Sequence, residues 1–285
     1  MTIRSKGRCL LLLFVGVAPL SPLQAADRQF EIKFSPQARR QPYTGRVYLF
    51  FTRDKQREPR LSAHGSAPDW FHPEPFLAVD IENWKPEEPL MIDSSIADWT
   101  LAFPNPLAEL DLAECRVQAV ARFNPFERTV GNGPGNAYSA AVPVNAGKPS
   151  ATLVIDKLIE ATPFPENKWC KLLAVRSSLL SEFHKRDVSL QASVLLPASY
   201  FDQPQRRYPV IFSVPGFGGT HRDRVPTEPV KEQNAGGVEF IRVTLDPSCP
   251  LGHHVFADSA NNGPVGTALV REFLPELDRQ YRTVA

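Results

Sequence analysis

Proline is the feature that most limits what this chain can fold into. The 285 residues include 28 prolines, against 16 glycines. Each proline fixes its own φ, lacks an amide proton, and breaks the interior of a helix or of a central strand. We therefore expect many strand ends and rigid turns, few long uninterrupted helices, and no helical bundle.

The composition otherwise falls in the range of folded globular proteins. Hydrophobic residues make up 42% of the chain and charged residues 22%, which excludes wholesale disorder. The formal net charge is only +1. A chain so close to neutral has no field to attract nucleic acid or an anionic membrane surface, so we expect no nucleic-acid partner.

The first 25 residues have the pattern of a secretory signal peptide. Arg4, Lys6 and Arg8 precede the apolar run 10–17 (LLLLFVGV), which is too short to span a bilayer. Cleavage is expected after Ala25, with Ala26 as the alternative, and a buried N-terminal helix is the competing interpretation. The sequence thus predicts an exported protein, periplasmic or secreted, with no stable membrane insertion.

Export makes disulfide bonds possible in the mature chain, which keeps Cys115, Cys170 and Cys249. An odd count allows one bridge and one free thiol. Cys115 and Cys170 lie in the same half of the chain and would be the pair, but three buried thiols fit equally well. The pairing stays open.

Residues 27–170 are strand-like. Residues 29–34 (QFEIKF) alternate apolar and polar side chains, and residues 45–51 (GRVYLFF) are β-branched and aromatic. Residues 115–122 and 151–159 repeat the signal, with proline-rich connections between the runs. Short strands separated by turn residues predict an all-β sandwich for this part of the chain.

Residues 171–285 have a different pattern. Residues 208–214 (YPVIFSV) form an almost wholly apolar run, which predicts a strand buried on both faces, and residues 240–245 form a second. Residues 266–281 have helical spacing, with a kink expected at Pro275. Strands are also expected at 175–183 and 188–196, and a helix or lid-like loop at about 224–236. This order predicts the opening of an α/β domain.

Two loops could carry chemistry. Gly216, Gly218 and Gly219 follow the apolar strand directly, where glycine permits positive φ and close approach of a ligand to backbone amides that could hold an oxyanion. An ordinary turn is the alternative. In the second loop, 258–266 (DSANNGPVG), polar side chains could bind substrate or satisfy the start of the following helix. These side chains are Ser259, Asn261 and Asn262.

Together, the strand–PGFGG turn, the SANNGP loop and the FLPELDRQYR helix resemble the esterase D and enterochelin esterase-like branch of the α/β-hydrolase superfamily. The resemblance implies a fold class of an N-terminal all-β sandwich followed by an incomplete α/β-hydrolase domain. It also implies an exported serine ester hydrolase that forms an acyl-enzyme on a small-molecule or polymer-linked ester, with no metal or organic cofactor. The oxyanion hole would be the Phe217 amide, with Gly218 as its neighbour.

One motif of that family is missing. No G-x-S-x-G occurs in the sequence, so no catalytic residue is assigned within this chain. The nucleophilic serine, the acidic residue and the histidine are expected after Ala285. The 285-residue chain is then a fragment truncated before the nucleophile elbow, or a degenerate copy, and we expect it to be inactive by itself.

Other functions are weaker alternatives. The β-domain could bind carbohydrate or a protein partner through Trp70 and Phe71, with the hydrolase segment a relic. Cys249 could be a thiol nucleophile, although nothing near it in the sequence would lower its pKa. A second triad or a metal site could be drawn from the loop histidines and carboxylates, but their spacing matches no metal motif. These residues are His221, Asp223, His253, His254, Asp258 and Ser259.

Overall fold

The computed structural model describes residues 28–62, 74–93, 100–147, 150–231 and 236–284. The chain is mostly β, with 37% strand and 14% helix. It forms two β-rich units, each with a sheet and a hydrophobic core of its own. The signal segment and the Trp70–Phe71 pair predicted from the sequence lie outside the described residues.

The first unit is a single nine-stranded mixed sheet. Its strands are β1 (Gln29–Phe34), β2 (Tyr43–Thr52), β3 (Phe76–Trp84), β4 (Leu90–Asp93), β5 (Thr100–Phe103), β6 (Arg116–Ala121), β7 (Ala137–Ser139), β8 (Val142–Pro143) and β9 (Ala151–Leu158). The order across the sheet is β4-β1-β9-β7-β6-β2-β3-β5, with β8 paired to β6. The β1–β9 pair is parallel and the other pairs are antiparallel.

The alternating pattern of β1 produces one wholly buried face. Phe30, Ile32 and Phe34 are fully buried, while the residues between them are half-buried. Successive side chains of a strand point to opposite faces, so this alternation places one face of the sheet against the core. The four strands predicted in this half of the chain are present as β1, β2, β6 and β9.

The second unit contains four main strands. They are β10 (Cys170–Arg176), β11 (Ser189–Leu195), β12 (Val210–Ser213) and β13 (Ile241–Leu245), in the order β10-β11-β13-β12. Only the β12–β13 pair is parallel. Two short hairpins follow, β14 (Ser248–Cys249) with β15 (Gly252–His253), and β16 (Asp258–Ser259) with β17 (Gly263–Pro264).

Apart from short 3₁₀ turns, the described residues form helix in two places. Helix α1 (Ser178–His184) is capped by the Ser177 hydroxyl, which accepts a hydrogen bond from the Leu180 amide at 3.0 Å. The second helical segment consists of α2 (Val265–Ala268), a π-helical turn (Leu269–Phe273) and α3 (Leu274–Gln280). Pro275 lies at the start of α3, and a widened π turn before it accommodates the missing amide proton. The backbone keeps helical dihedral angles through Phe273 and Leu274, so the kink expected at Pro275 stays a prediction.

The predicted fold class, a sandwich followed by an α/β-hydrolase domain, is wrong. The first unit is one continuous sheet rather than two stacked sheets, and the described part of the chain lacks the helix-rich pattern of that family. The described residues between β12 and β13 contain no helix, and Pro226 and Pro229 interrupt that segment. Residues 175–183, expected as a strand, instead end β10 and form α1.

The burial expected for residues 208–214 is also wrong. Strand β12 lies at the edge of its sheet, and Ile211 and Phe212 are each 42% exposed. Apolar composition indicated a central strand, but edge position depends on which strands are present as neighbours. The sequence pattern of one strand does not contain that information.

Cys115, Cys170 and Cys249 are all free thiols. Cys115 lies in the core of the first unit, whereas Cys170 belongs to a separate small cluster beside the second sheet. Burial raises the pKa of both thiols, that of Cys170 to about 11. No helix in the described part of the chain is long and apolar enough to cross a membrane.

Candidate functional site

A cleft of about 630 Å³ lies where the two units meet. The first unit contributes the loop between β6 and β7 and the segment after β9. The second contributes α1, the segment after β12, and the segment after β13. Residues that line it include Arg128, Asn132, His184, Gly218, His221 and Asn262.

The glycine-rich turn after β12 is a tight β-turn at this cleft. The Gly219 amide donates to the Gly216 carbonyl at 2.9 Å, and Gly218, the third residue of the turn, has φ of +90°. Those two features define a type II turn, in which the third position favours glycine. A Cβ at Gly216 or Gly218 would meet nothing within 4 Å, so the turn is open to a ligand.

Two amides of this turn are unused. Neither the Phe217 N–H nor the Gly218 N–H donates a hydrogen bond to any described residue. Phe217 is 84% exposed, and Gly218 lines the cleft. Backbone donors without internal partners are one requirement of an oxyanion site, and both consecutive residues predicted for that role have such an amide.

Arg128 of the first unit holds the carbonyl side of the turn. Its Nη2 donates to the carbonyls of Gly218 at 2.6 Å and of Gly219 at 3.2 Å, and its Nη1 donates to the Gly252 carbonyl at 3.1 Å. The Phe217 ring lies against Gly252, at a position that a Cβ would fill. The turn is therefore bonded to both the first unit and the β14–β15 hairpin.

His253 fixes the residue before the turn. Its Nε2 lies 2.9 Å from the Pro215 carbonyl, and its Nδ1 accepts a hydrogen bond from the Val255 amide at 3.0 Å. An acceptor at Nδ1 places the proton of the neutral ring on Nε2, which then donates to Pro215. The histidine thus holds the backbone and is not available as a ligand or base.

His221 fixes the residues after the turn. Its Nδ1 lies 2.8 Å from Asp246 Oδ2, and Asp246 Oδ1 accepts from the Ser248 amide at 3.0 Å and from its hydroxyl. Burial opposes ionisation of Asp246, but the hydrogen bonds from His221 and Ser248 outweigh it and hold the pKa of the carboxyl below its usual value. His221 Nε2 is enclosed and has no partner in the described structure. This pair ties the turn segment to the end of β13.

The three residues predicted to bind substrate are placed unequally. Asn262 lines the cleft, and its carbonyl lies 3.2 Å from His184 Nε2. Ser259 accepts a hydrogen bond from the Asn262 amide at 3.0 Å and so closes its own loop. Asn261 is exposed and does not line the cleft. The start of the following helix is satisfied by Asp258, which accepts from the Thr267 amide at 2.9 Å.

The remaining candidates are not assembled into a catalytic or metal site. His254 is buried and accepts a hydrogen bond from the Phe256 amide at its Nδ1, at 3.1 Å. Cys249 pairs with Gly252 through the backbone and lines the cleft half-buried, and its thiol has no hydrogen bond to a described residue. In the described ranges no serine hydroxyl is bonded to a histidine ring, and no three His, Cys, Asp or Glu side chains converge on a metal position.

The sequence predicted the glycine turn. It did not predict that Arg128, His221 and His253 hold the turn in place. Arg128 lies about 90 residues before the turn, in a loop without any recognisable motif. Asp246 directly follows the buried strand β13, and a carboxylate in that position is a signal that the sequence does contain. Searches of protein-family models and of curated proteins found nothing that matches this chain.

Proposed function

We propose that the protein takes part in the hydrolysis of carboxylic esters, and that the turn after β12 stabilises the oxyanion of the tetrahedral intermediate. The observation that carries this proposal is the pair of unused amides, Phe217 N–H and Gly218 N–H, on a turn whose Gly218 lines the cleft. The resemblance of the turn, the SANNGP loop and the last helix to serine esterases supports the same reaction.

The physical basis is electrostatic preorganisation. When a nucleophile attacks an ester carbonyl, negative charge develops on the carbonyl oxygen, and donors already fixed in place stabilise it without reorganising. Arg128, His253 and His221 bond the turn and the residues on either side of it. One such donor typically lowers the barrier by about 3–4 kcal/mol.

The cleft suits an ester with a polar body. Its volume of about 630 Å³ is within the usual range for small-molecule sites. Polar and charged groups from both units line it, among them Thr129, Asn132, Gln191 and Asn262. A small-molecule ester, or the end of a polymer-linked one, is the substrate class that we propose.

We assign no nucleophile among the described residues. An acyl-enzyme mechanism needs a serine whose hydroxyl passes its proton to a histidine, and no such pair is formed there. We therefore expect the 285-residue chain by itself to bind an oxyanion without turning over esters. Catalysis is therefore tested on the natively produced protein, that is, the protein purified from the cells that make it.

That test compares initial rates of hydrolysis of p-nitrophenyl acetate and p-nitrophenyl butyrate. We expect the natively produced protein to hydrolyse these esters, and Gly218→Ala to lower kcat by about 100-fold, because an alanine cannot easily keep the positive φ that directs the amide. Gly147→Ala, at an open position outside the cleft, is the matched control. Absence of hydrolysis, or a Gly218→Ala variant as active as the control, would overturn the proposal.

A further inference from the structure

We infer that Arg128 is a positioning residue for the oxyanion turn, so that the first unit takes a direct part in the chemistry of the second. This inference rests on the proposed function for its catalytic consequence. Its structural content, the control of a turn in one unit by a side chain of the other, can be tested without any activity.

The contacts of Arg128 are concentrated on the turn and its neighbour. Two donors of one guanidinium reach three backbone carbonyls, those of Gly218, Gly219 and Gly252. In the described residues no carboxylate pairs with Arg128, so no ion pair competes for its donors. The planar fork of an arginine can hold several acceptors in one fixed geometry, which a lysine cannot do.

The carbonyl of Gly218 matters because it constrains the orientation of the neighbouring amide. Type I and type II turns differ by a flip of the peptide between the second and third residues, here the peptide that carries the Gly218 N–H. Holding the Gly218 and Gly219 carbonyls restrains the two peptides that follow the central one, and so limits the backbone rotations through which the central peptide could flip. Loss of Arg128 would let the central peptide sample both orientations.

The loop that carries Arg128 is itself held in place. Glu127 accepts from the Thr129 amide at 3.0 Å and from its hydroxyl at 2.7 Å, and Arg122 donates to the Glu127 carbonyl at 2.9 Å. These bonds lie within the first unit. The guanidinium is therefore presented to the turn from a defined loop rather than from a free surface side chain.

A second arginine crosses between the units and provides a matched control. Arg222 donates to the Thr162 carbonyl at 2.9 Å and to the Pro163 carbonyl at 3.4 Å, and its guanidinium lies 5.6 Å from the centre of the Phe164 ring. It bonds backbone carbonyls across the cleft as Arg128 does, but it does not touch the carbonyls of the turn.

The experiment compares Arg128→Ala, Arg128→Lys and Arg222→Ala by NMR of the ¹⁵N-glycine-labelled 285-residue chain. We expect Arg128→Ala to move the Gly218 and Gly219 amide resonances. It should also speed hydrogen exchange of the Gly219 amide, which donates to the Gly216 carbonyl, at least tenfold. Arg222→Ala should leave both unchanged. In the natively produced protein, Arg128→Ala should lower kcat for p-nitrophenyl acetate about tenfold with little change in KM.

Two further readings separate positioning from general destabilisation. Added guanidinium ion at millimolar concentration should restore to Arg128→Ala part of the kcat that it has lost. The kcat of Arg128→Lys should lie between that of the wild type and that of Arg128→Ala. Unchanged Gly218 and Gly219 amides in a folded Arg128→Ala or Arg128→Lys chain would overturn the inference. If the wild type hydrolyses no ester, the proposed function fails, and the amide measurements still decide the role of Arg128.

Discussion

At the scale of single residues, the site depends on one backbone angle. Gly218 has φ of +90°, where residues other than glycine are strained, although the space around its Cα is empty. Its neighbour Gly216 also has open space but no such φ. Comparing an alanine at each of the two positions therefore separates the effect of the backbone angle on stability from the effect of the space available to a side chain.

We predict that Gly218→Ala lowers the free energy of unfolding by about 1–2 kcal/mol, because the alanine must either stay strained or reverse the turn. Gly216→Ala should change it by less than about 0.5 kcal/mol. Urea unfolding of the two variants gives both values. Equal losses in the two variants would mean that the turn does not have the conformation described above.

His254 makes the stability of the second unit depend on pH. Burial lowers the pKa of this histidine to about 4, while Asp246 raises it and His253 lowers it by smaller amounts. The neutral ring accepts a hydrogen bond from the Phe256 amide, which a protonated Nδ1 could not do. In the unfolded chain its pKa is about 6.5.

Between these two pKa values the unfolded chain binds a proton that the folded chain excludes, so stability is complete above about pH 6.5 and falls as the pH drops towards 4. We predict a loss of about 2 kcal/mol between pH 7.5 and pH 5 from this residue. His254→Asn keeps an acceptor for the Phe256 amide but cannot titrate. Urea unfolding at both pH values should give a shallower pH dependence for the variant, and equal dependences would contradict the assignment.

At the scale of elements, local patterns predicted strands better than they predicted neighbours. The alternation of residues 29–34 and the apolar run at 240–245 correspond to β1 and β13. The run at 208–214 contains β12, but the strand is at a sheet edge and its apolar side chains are exposed. Strand order and the number of helices arise from contacts between distant segments, which no window of sequence contains.

The start of β2 shows one such distant contact. The Tyr43 hydroxyl accepts a hydrogen bond from the Arg46 amide at 2.9 Å and donates to the Arg122 carbonyl, beyond β6, at 2.7 Å. The Tyr43 ring is buried and lies against Gly45, where a Cβ would clash with it. Burial raises the pKa of Tyr43 to about 12, so the hydroxyl keeps its proton and remains a donor.

We predict that Tyr43→Phe lowers the free energy of unfolding by about 1–2 kcal/mol, because two part-buried backbone groups lose their partner. Tyr138→Phe is the control, since its hydroxyl bonds to no described residue, and it should change stability by less than about 0.5 kcal/mol. Chemical unfolding followed by fluorescence measures both. A Tyr43→Phe variant as stable as the control would show that this hydroxyl does not hold the two strands together.

At the scale of the whole molecule, the candidate site belongs to both units. The glycine turn after β12 could be predicted from the sequence because strand-end glycines are a local signal, and the oxyanion role of Phe217 and Gly218 stays a prediction. Arg128 could not be found in this way, because its role exists only once the loop between β6 and β7 lies against the turn. The pairing of His221 with Asp246, across 25 residues, likewise exists only in the folded chain.

The proposed function requires that the Phe217 and Gly218 amides bind a developing oxyanion. A direct test is a ¹H–¹⁵N NMR titration of the 285-residue chain with monoethyl methylphosphonate, a tetrahedral monoanion. We predict that the Phe217 and Gly218 resonances move most, and that Gly218→Ala weakens binding at least tenfold. Binding that leaves these two amides unmoved, or no binding at millimolar phosphonate, would contradict the claim.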